Sequence, residues 1–342
     1  MNGTVRIRRA ADGLLVIAPD GAPTVLDGAA EIDVLVLEAA GGHLTWSLLA
    51  GQSLPAAVID DMRVAQDWLW AVFGEEVALA VDAGETGELT AAPGLPELVT
   101  SARRLGYAHW AARWWPASTI DGIAPLDERL LLDDIATLSE ACEMIVDGAD
   151  EPFEVAESPT GRVPEARGRA EEYALAAGPA AAAAPGALVL ARGTGGWDWR
   201  RCPPKLLDAS EQAVSWEVVR QGGTTTVSVR AVAAPQSHFP SYLHPHVLVR
   251  TTAGTADAAL TLAGDMWTTE VPAPEGAEST VTVAIYVPGV GPDSSEHGGP
   301  SVRQRVRDLA VRRLRRAADP SDEAGDAPLL AEIDAAASDS DF

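Results

Sequence analysis

Three histidines close in sequence, His238, His244 and His246, are the chain's nearest approach to a metal constellation. Imidazole nitrogens are common metal ligands, and alternate residues of a strand share a face, so His244 and His246 would project together. Pro245 between them points to a loop or edge strand. Neither an HExxH motif nor a cysteine cluster completes a ligand set; Asp257 or Asp265 would have to supply the missing oxygen. The expectation is ordinary loop histidines, with no metal and no cofactor. Cys202 follows Arg200 and Arg201, whose charge would lower a thiol pKa if they faced it, but prolines come next and no histidine is assignable as its base. Cys142 falls on an apolar helical stripe and reads as core. A hydrolase using His238, His244 and His246, or Cys202, is therefore the enzymatic alternative, with no catalytic residue assigned.

Gly193-Thr194-Gly195-Gly196 follows a strand but leads into Trp197-Asp198-Trp199 and Pro203-Pro204, not into a helix. It reads as a plain turn rather than a phosphate loop. There is no GxSxG elbow. The adjacent acids Asp60-Asp61 and Asp133-Asp134 would point in different helical directions, as solvated surface.

The most distinctive segment is Tyr107-Ala108-His109-Trp110-Ala111-Ala112-Arg113-Trp114-Trp115-Pro116. On a helix Trp110 would stack over Trp114, with His109 and Arg113 alongside and Trp68 and Trp70 available to join them. Buried, these rings form a core short of phenylalanine, the favoured expectation; exposed, Trp110, Arg113, Trp114 and Trp115 would mark a protein-binding hot spot or a ligand-sensing platform. The C-terminus divides by charge. Residues 300–317 form a basic amphipathic helix, with Arg303, Arg307, Arg312 and Arg315 as candidate contacts to an acidic partner. Residues 318–342 are acidic and read as a disordered tail that either folds back to screen the basic helix or stays free while the helix docks on its partner; within it Leu329-Leu330-Ala331-Glu332-Ile333 could fold on a partner.

The elements that must position these residues read as an α+β chain. With 342 residues, 47% hydrophobic and 22% charged, about two globular domains are expected. Residues 1–148 read as an α+β, helix-rich module: strands over 5–8 and 14–17, a hairpin over 34–37 and 44–48, then three helices. The first helix begins at Pro55 and ends at Gly74, the second spans 96–115, and the third starts at an Asp127 N-cap and stops near Gly148. Its stripe is Leu131, Ile135, Leu138, Cys142 and Ile145, with Asp133, Asp134, Glu140 and Glu143 mostly solvated. Residues 149–186 are an Ala/Pro/Gly-rich linker. Residues 187–292 carry short runs of alternating residues, such as Val227-Ser228-Val229-Arg230, with a hairpin turn at Gln221-Gly222-Gly223-Thr224. They read as an antiparallel β-sandwich-like module.

The net charge of −25 argues against nucleic acid or an anionic membrane across the bulk surface. Residues 1–30 lack a signal-peptide pattern, and the two distant cysteines fit a reducing compartment, so a cytoplasmic location is expected. A single lysine, Lys205, and the abundant alanine suggest a GC-rich bacterial genome. The functional expectation is a non-enzymatic interaction or adaptor component of a bacterial multi-protein system, with protein partners.

Overall fold

In the computed structural model, residues 2–10, 12–27, 32–146, 187–235, 244–278, 280–291, 299–319 and 327–339 are described. The expected linker, residues 149–186, and His238 lie outside them. The fold is α+β, with six helices and three antiparallel sheets among the described residues. Among the described residues no helix is long and apolar enough to cross a membrane. The chain packs as two units: Met1–Ala112, Leu126–Ser158 and Arg312–Phe342 form the first, Arg113–Pro125 and Pro159–Val311 the second.

The first unit is built on a six-stranded sheet of order β3-β4-β5-β2-β1-β6. Its strands are β1 (Gly3–Arg9), β2 (Leu15–Ala18), β3 (Val34–Ala39), β4 (Gly42–Ser47), β5 (Ala56–Ile59) and β6 (Gly87–Ala91). The expected hairpin is present, with Leu37 opposite Leu44. The helix expected from Pro55 instead begins later: Ala56–Ile59 is a central strand between β2 and β4, buried at every residue. A short run buried on both faces carries no alternation, so periodicity alone cannot separate it from a buried helix. Helix α1 (Met62–Phe73) follows, with the Asp61 side chain accepting from Arg63 N at its start and Gly74 closing it at φ 93°. A further helix, α2 (Glu75–Asp82), and strand β6 had no counterpart in the sequence reading.

Helix α3 (Pro96–Trp114) and helix α4 (Glu128–Ala141) occupy the expected stretches. Gly106 of α3 lies close to Leu35, Leu37 and Trp46, placing this helix on the β3–β4 face of the sheet. Asp127 caps α4, accepting from Arg129 N and Leu130 N at 2.8 and 3.1 Å. The helix ends at Ala141, before Gly148, yet Cys142 and Ile145 continue its buried stripe.

In the second unit a five-stranded sheet has order β12-β13-β9-β8-β7 and a three-stranded sheet has order β11-β10-β14. The strands are β7 (Leu188–Gly195), β8 (Val214–Gln221), β9 (Thr224–Val232), β10 (His246–Arg250), β11 (Thr255–Ala259), β12 (Thr261–Ala263), β13 (Met266–Pro272) and β14 (Thr282–Tyr286). Alternation in β9 is as expected: Val227, Val229 and Ala231 are buried while Ser228 and Arg230 are not. The β8–β9 turn places Gly222 and Gly223 at φ 58° and 85°, the left-handed pair that a tight hairpin needs. The Gly193–Gly196 turn is corrected, because Gly193 and Gly195 lie within β7 and Gly193 packs beneath the Trp216 ring. Helix α5 (Pro300–Ala318) belongs to the second unit through Val311 and to the first from Arg312. The acidic tail is corrected over its described part, where Leu330–Asp339 forms helix α6, packed on α4 in the first unit; residues 320–326 and 340–342 lie outside the described residues.

Two glycines test this account of the turns. At Gly74 an added Cβ would overlap Ala92 O, on a backbone that already favours glycine, whereas Gly222 opens to empty space. Gly74→Ala should cost more than about 3 kcal/mol and Gly222→Ala about 1 kcal/mol, checked by denaturant unfolding.

Candidate functional site

The tryptophan segment divides by position. Trp110 is buried, stacks on Tyr107 at 5.6 Å between ring centroids, and donates its Nε1–H to Ile32 O at 2.7 Å. Trp115 is also buried, with Nε1 donating to Ala124 O, and Trp68 donates to Ala40 O. These rings are core, each with its polar edge satisfied. Trp114 is half-buried beneath the guanidinium of exposed Arg113, 4.9 Å from its ring centroid. Trp70, by contrast, faces solvent at 42% exposure. Its ring rests on Gly94, where even a methyl group would approach to 2.6 Å, and Leu95 beside it is 37% exposed. Gly94 N and Leu95 N donate to Trp70 O and Ala71 O, pinning this loop to α1.

The arginines of α5 also divide. Arg312 and Arg315 are exposed, but Arg303 and Arg307 are buried. Arg303 grips Glu211 with two hydrogen bonds, at 2.7 and 2.9 Å. Arg307 reaches Glu211 and Ala209 O at 3.0 Å and Asp121 at 3.3 Å. Burial alone would raise the Glu211 carboxyl; the hydrogen bonds and charges of Arg303 and then Arg307 outweigh it and hold the group below its ordinary range. The candidate contacts Arg303 and Arg307 are therefore corrected: their charge is consumed inside the second unit.

Beside them Asp208 is fully buried and accepts four hydrogen bonds: from Ser118 Oγ (2.6 Å), Ser210 N (3.0 Å), Thr119 N (2.7 Å) and Ile120 N (3.3 Å). Burial raises its pKa, opposed by these four donors. Ser210 Oγ in turn donates to Asp121 Oδ1 at 3.1 Å, joining Asp208 to the Arg307 cluster. The network ties residues 118–121 to residues 208–211.

A matching centre in the first unit surrounds Glu332, which is fully buried. It accepts from Arg313 Nε and Nη2 at 2.9 and 2.6 Å, from Tyr107 OH at 2.7 Å and from Leu329 N at 2.8 Å. Asp134, expected on the solvated side of α4, is buried and accepts from Leu330 N at 2.7 Å. Its pKa is raised by burial and by Glu332, against the backbone donors and the Arg104 charge. The Asp208 and Glu332 centres escaped the sequence reading because each partner sits in an unremarkable local pattern.

Of the three histidines, His244 and His246 are described and His238 is not. His244 is exposed, and His246 on β10 pairs its Nδ1 with Asp257 Oδ1 of β11 at 3.1 Å. Tyr286, opposite His246 on β14, donates to Asp257 Oδ2. Burial, then the hydrogen bond and charge of Asp257, push the tyrosine up to about 12. Asp257 thus serves imidazole and phenol together. Among the described residues no group of three His, Cys, Asp or Glu side chains could hold a metal ion. Both cysteines are buried: burial pushes the Cys142 thiol up to about 12 and Cys202 higher still, and Arg200 pairs with Asp198. A groove of about 670 Å³ in the first unit lies between residues 19–27 and the β3–β4 hairpin, lined by Asp20, Asp27, Asp33, Val34 and Val36.

Compared with known proteins, the chain matches no family model, no curated protein and no solved structure.

Two outcomes follow from these environments. Asp208→Asn would turn an amide NH2 toward N–H or O–H donors and should cost about 2 kcal/mol. A raised carboxyl binds its proton more tightly when folded, so the cost of Asp208→Asn should grow as pH falls toward 3.8. The lowered Glu211 contributes stability above its unfolded value of 4.5 that is lost below it, so the cost of Glu211→Gln should shrink on acidification. Chemical denaturation across that pH range reads both signs. Neither thiol should react with a disulfide reagent at neutral pH until the chain is unfolded in guanidinium, as thiol titration would show.

Proposed function

We propose that this chain is a non-catalytic interaction protein, an adaptor within a bacterial multi-protein assembly. One observation carries the reading: Trp70 stands out of α1 at 42% exposure, locked on Gly94 beside the exposed Leu95. Tryptophan carries the largest apolar surface of any side chain and normally buries most of it. A Trp ring held rigid by packing loses little entropy on binding, and such rings are enriched where interfaces concentrate their affinity. Asp67, three residues before Trp70 on α1, and Glu97, two residues after Leu95, are exposed charges close in sequence to this apolar spot, as the polar rim of a docking site requires.

The chemistry elsewhere agrees with a binding role. Burial favours the neutral, unreactive form of both thiols. The buried carboxylates are occupied by arginines and backbone donors of their own chain.

The reading is tested by affinity capture from the native host, comparing the full-length chain with its Trp70→Ala variant. The expected result is one or more stoichiometric partners reduced at least about tenfold in the variant, the scale of a hot-spot truncation. Its thermal midpoint should stay within a few degrees, because the side chain is not core. Equal recovery of every partner by the two proteins would overturn this role for Trp70.

A further inference from the structure

Helix α6 has the composition of a ligand rather than of a core element. It is 10 residues long, shorter than isolated helices that hold together in water. The residue before it is Leu329, whose side chain has no oxygen to cap the first turn. The missing cap comes from another helix: Asp134 of α4 accepts from Leu330 N at 2.7 Å and from Ala331 N at 3.4 Å. The apolar side chains buried along this segment are Leu329, Ala331, Ala335 and Ala336, while Leu330 and Ile333 point to solvent. One leucine and three alanines bury little area.

What holds the segment is therefore polar. Glu332 enters a socket made by Arg313 and Tyr107, with the Arg313 guanidinium 4.6 Å from the Tyr107 ring centroid. Arg313 Nη2 also donates to Ala327 O at 3.4 Å, so the socket reads backbone ahead of the helix as well. Removing one partner of a buried charge pair leaves the other uncompensated, which makes this contact close to all-or-none.

We infer that the surface formed by Tyr107, Asp134 and Arg313 is a docking site for the start of a helix of Leu-x-x-Glu type, filled by the chain's own C-terminal segment. The segment folds as it docks and leaves as a unit. Its occupant is Leu329–Asp339 of the same chain, and the site accepts the same sequence presented on a separate molecule once the resident copy is dislodged.

The test uses the full chain and its Glu332→Gln variant, with a fluorescently labelled synthetic peptide of residues 327–339. Amide hydrogen exchange should accelerate at least about tenfold in residues 329–339 of the variant while α3 and α4 keep their protection. The labelled peptide should bind the variant at least about tenfold more tightly than the wild-type chain, whose site is occupied. A labelled peptide carrying the same Glu332→Gln change should bind neither. Tyr107→Phe, which removes a single hydrogen bond, should give an intermediate acceleration confined to the same segment. Loss of protection throughout α3 and α4 in Tyr107→Phe would show that α6 is part of the core. Equal affinity of the peptide for both chains would show that there is no vacated site. Either result overturns the inference.

Discussion

Arginine–carboxylate pairing inside the protein is the constraint on which the rest depends. Helix α5 presents Arg303 and Arg307 to Glu211 and Asp121 in one unit and Arg313 to Glu332 in the other. A buried guanidinium without a carboxylate, or a buried carboxylate without its donors, is strongly unfavourable. These residues therefore admit few alternative arrangements. The positions that each centre ties down, Asp121, Ala209 and Tyr107, lie in loops or on neighbouring elements.

This explains how so acidic a chain holds a basic helix. With a net charge of −25, exposed arginines would find carboxylates readily, but each exposed contact is weak and screened by salt. Burial changes the balance, since a bidentate Arg–Glu pair away from water is both stronger and geometrically demanding. Glu211 is held ionised in this way. Asp208 and Asp134 illustrate the opposite outcome: backbone amides and a hydroxyl satisfy their oxygens without neutralising them, so burial prevails and the proton is held more tightly.

The aromatic residues follow similar rules. Trp68, Trp110, Trp115, Trp197 and Trp267 each place the ring in the interior and the indole N–H on a backbone carbonyl. Trp46 differs, its buried Nε1 having no hydrogen-bond partner among the described residues. Phenylalanine is scarce here, at four residues against ten tryptophans, so the rings that fill the core carry a polar edge that fixes their orientation. Trp70 departs from this pattern, and for that reason it stands out as a contact residue.

Local patterns in the sequence were sufficient for the α+β class, the Asp127 cap, the Gly74 stop, the alternation of β9 and the Gly222-Gly223 hairpin. Each is written in residues adjacent in the chain, where turn chemistry and periodicity act. The fully buried strand Ala56–Ile59 carries no such period, so on sequence alone it is indistinguishable from the start of a helix. Tertiary structure alone decided which tryptophan would be left in solvent and which arginines would be consumed. It also decided that Leu330–Asp339, within the acidic tail, would form a docked helix: Glu332 meets Tyr107 across 225 residues of chain, and Arg303 meets Glu211 across 92. Charge counting sees a residue's type but not its desolvation, and it is desolvation that turns these side chains from solvated surface into the pins of the fold.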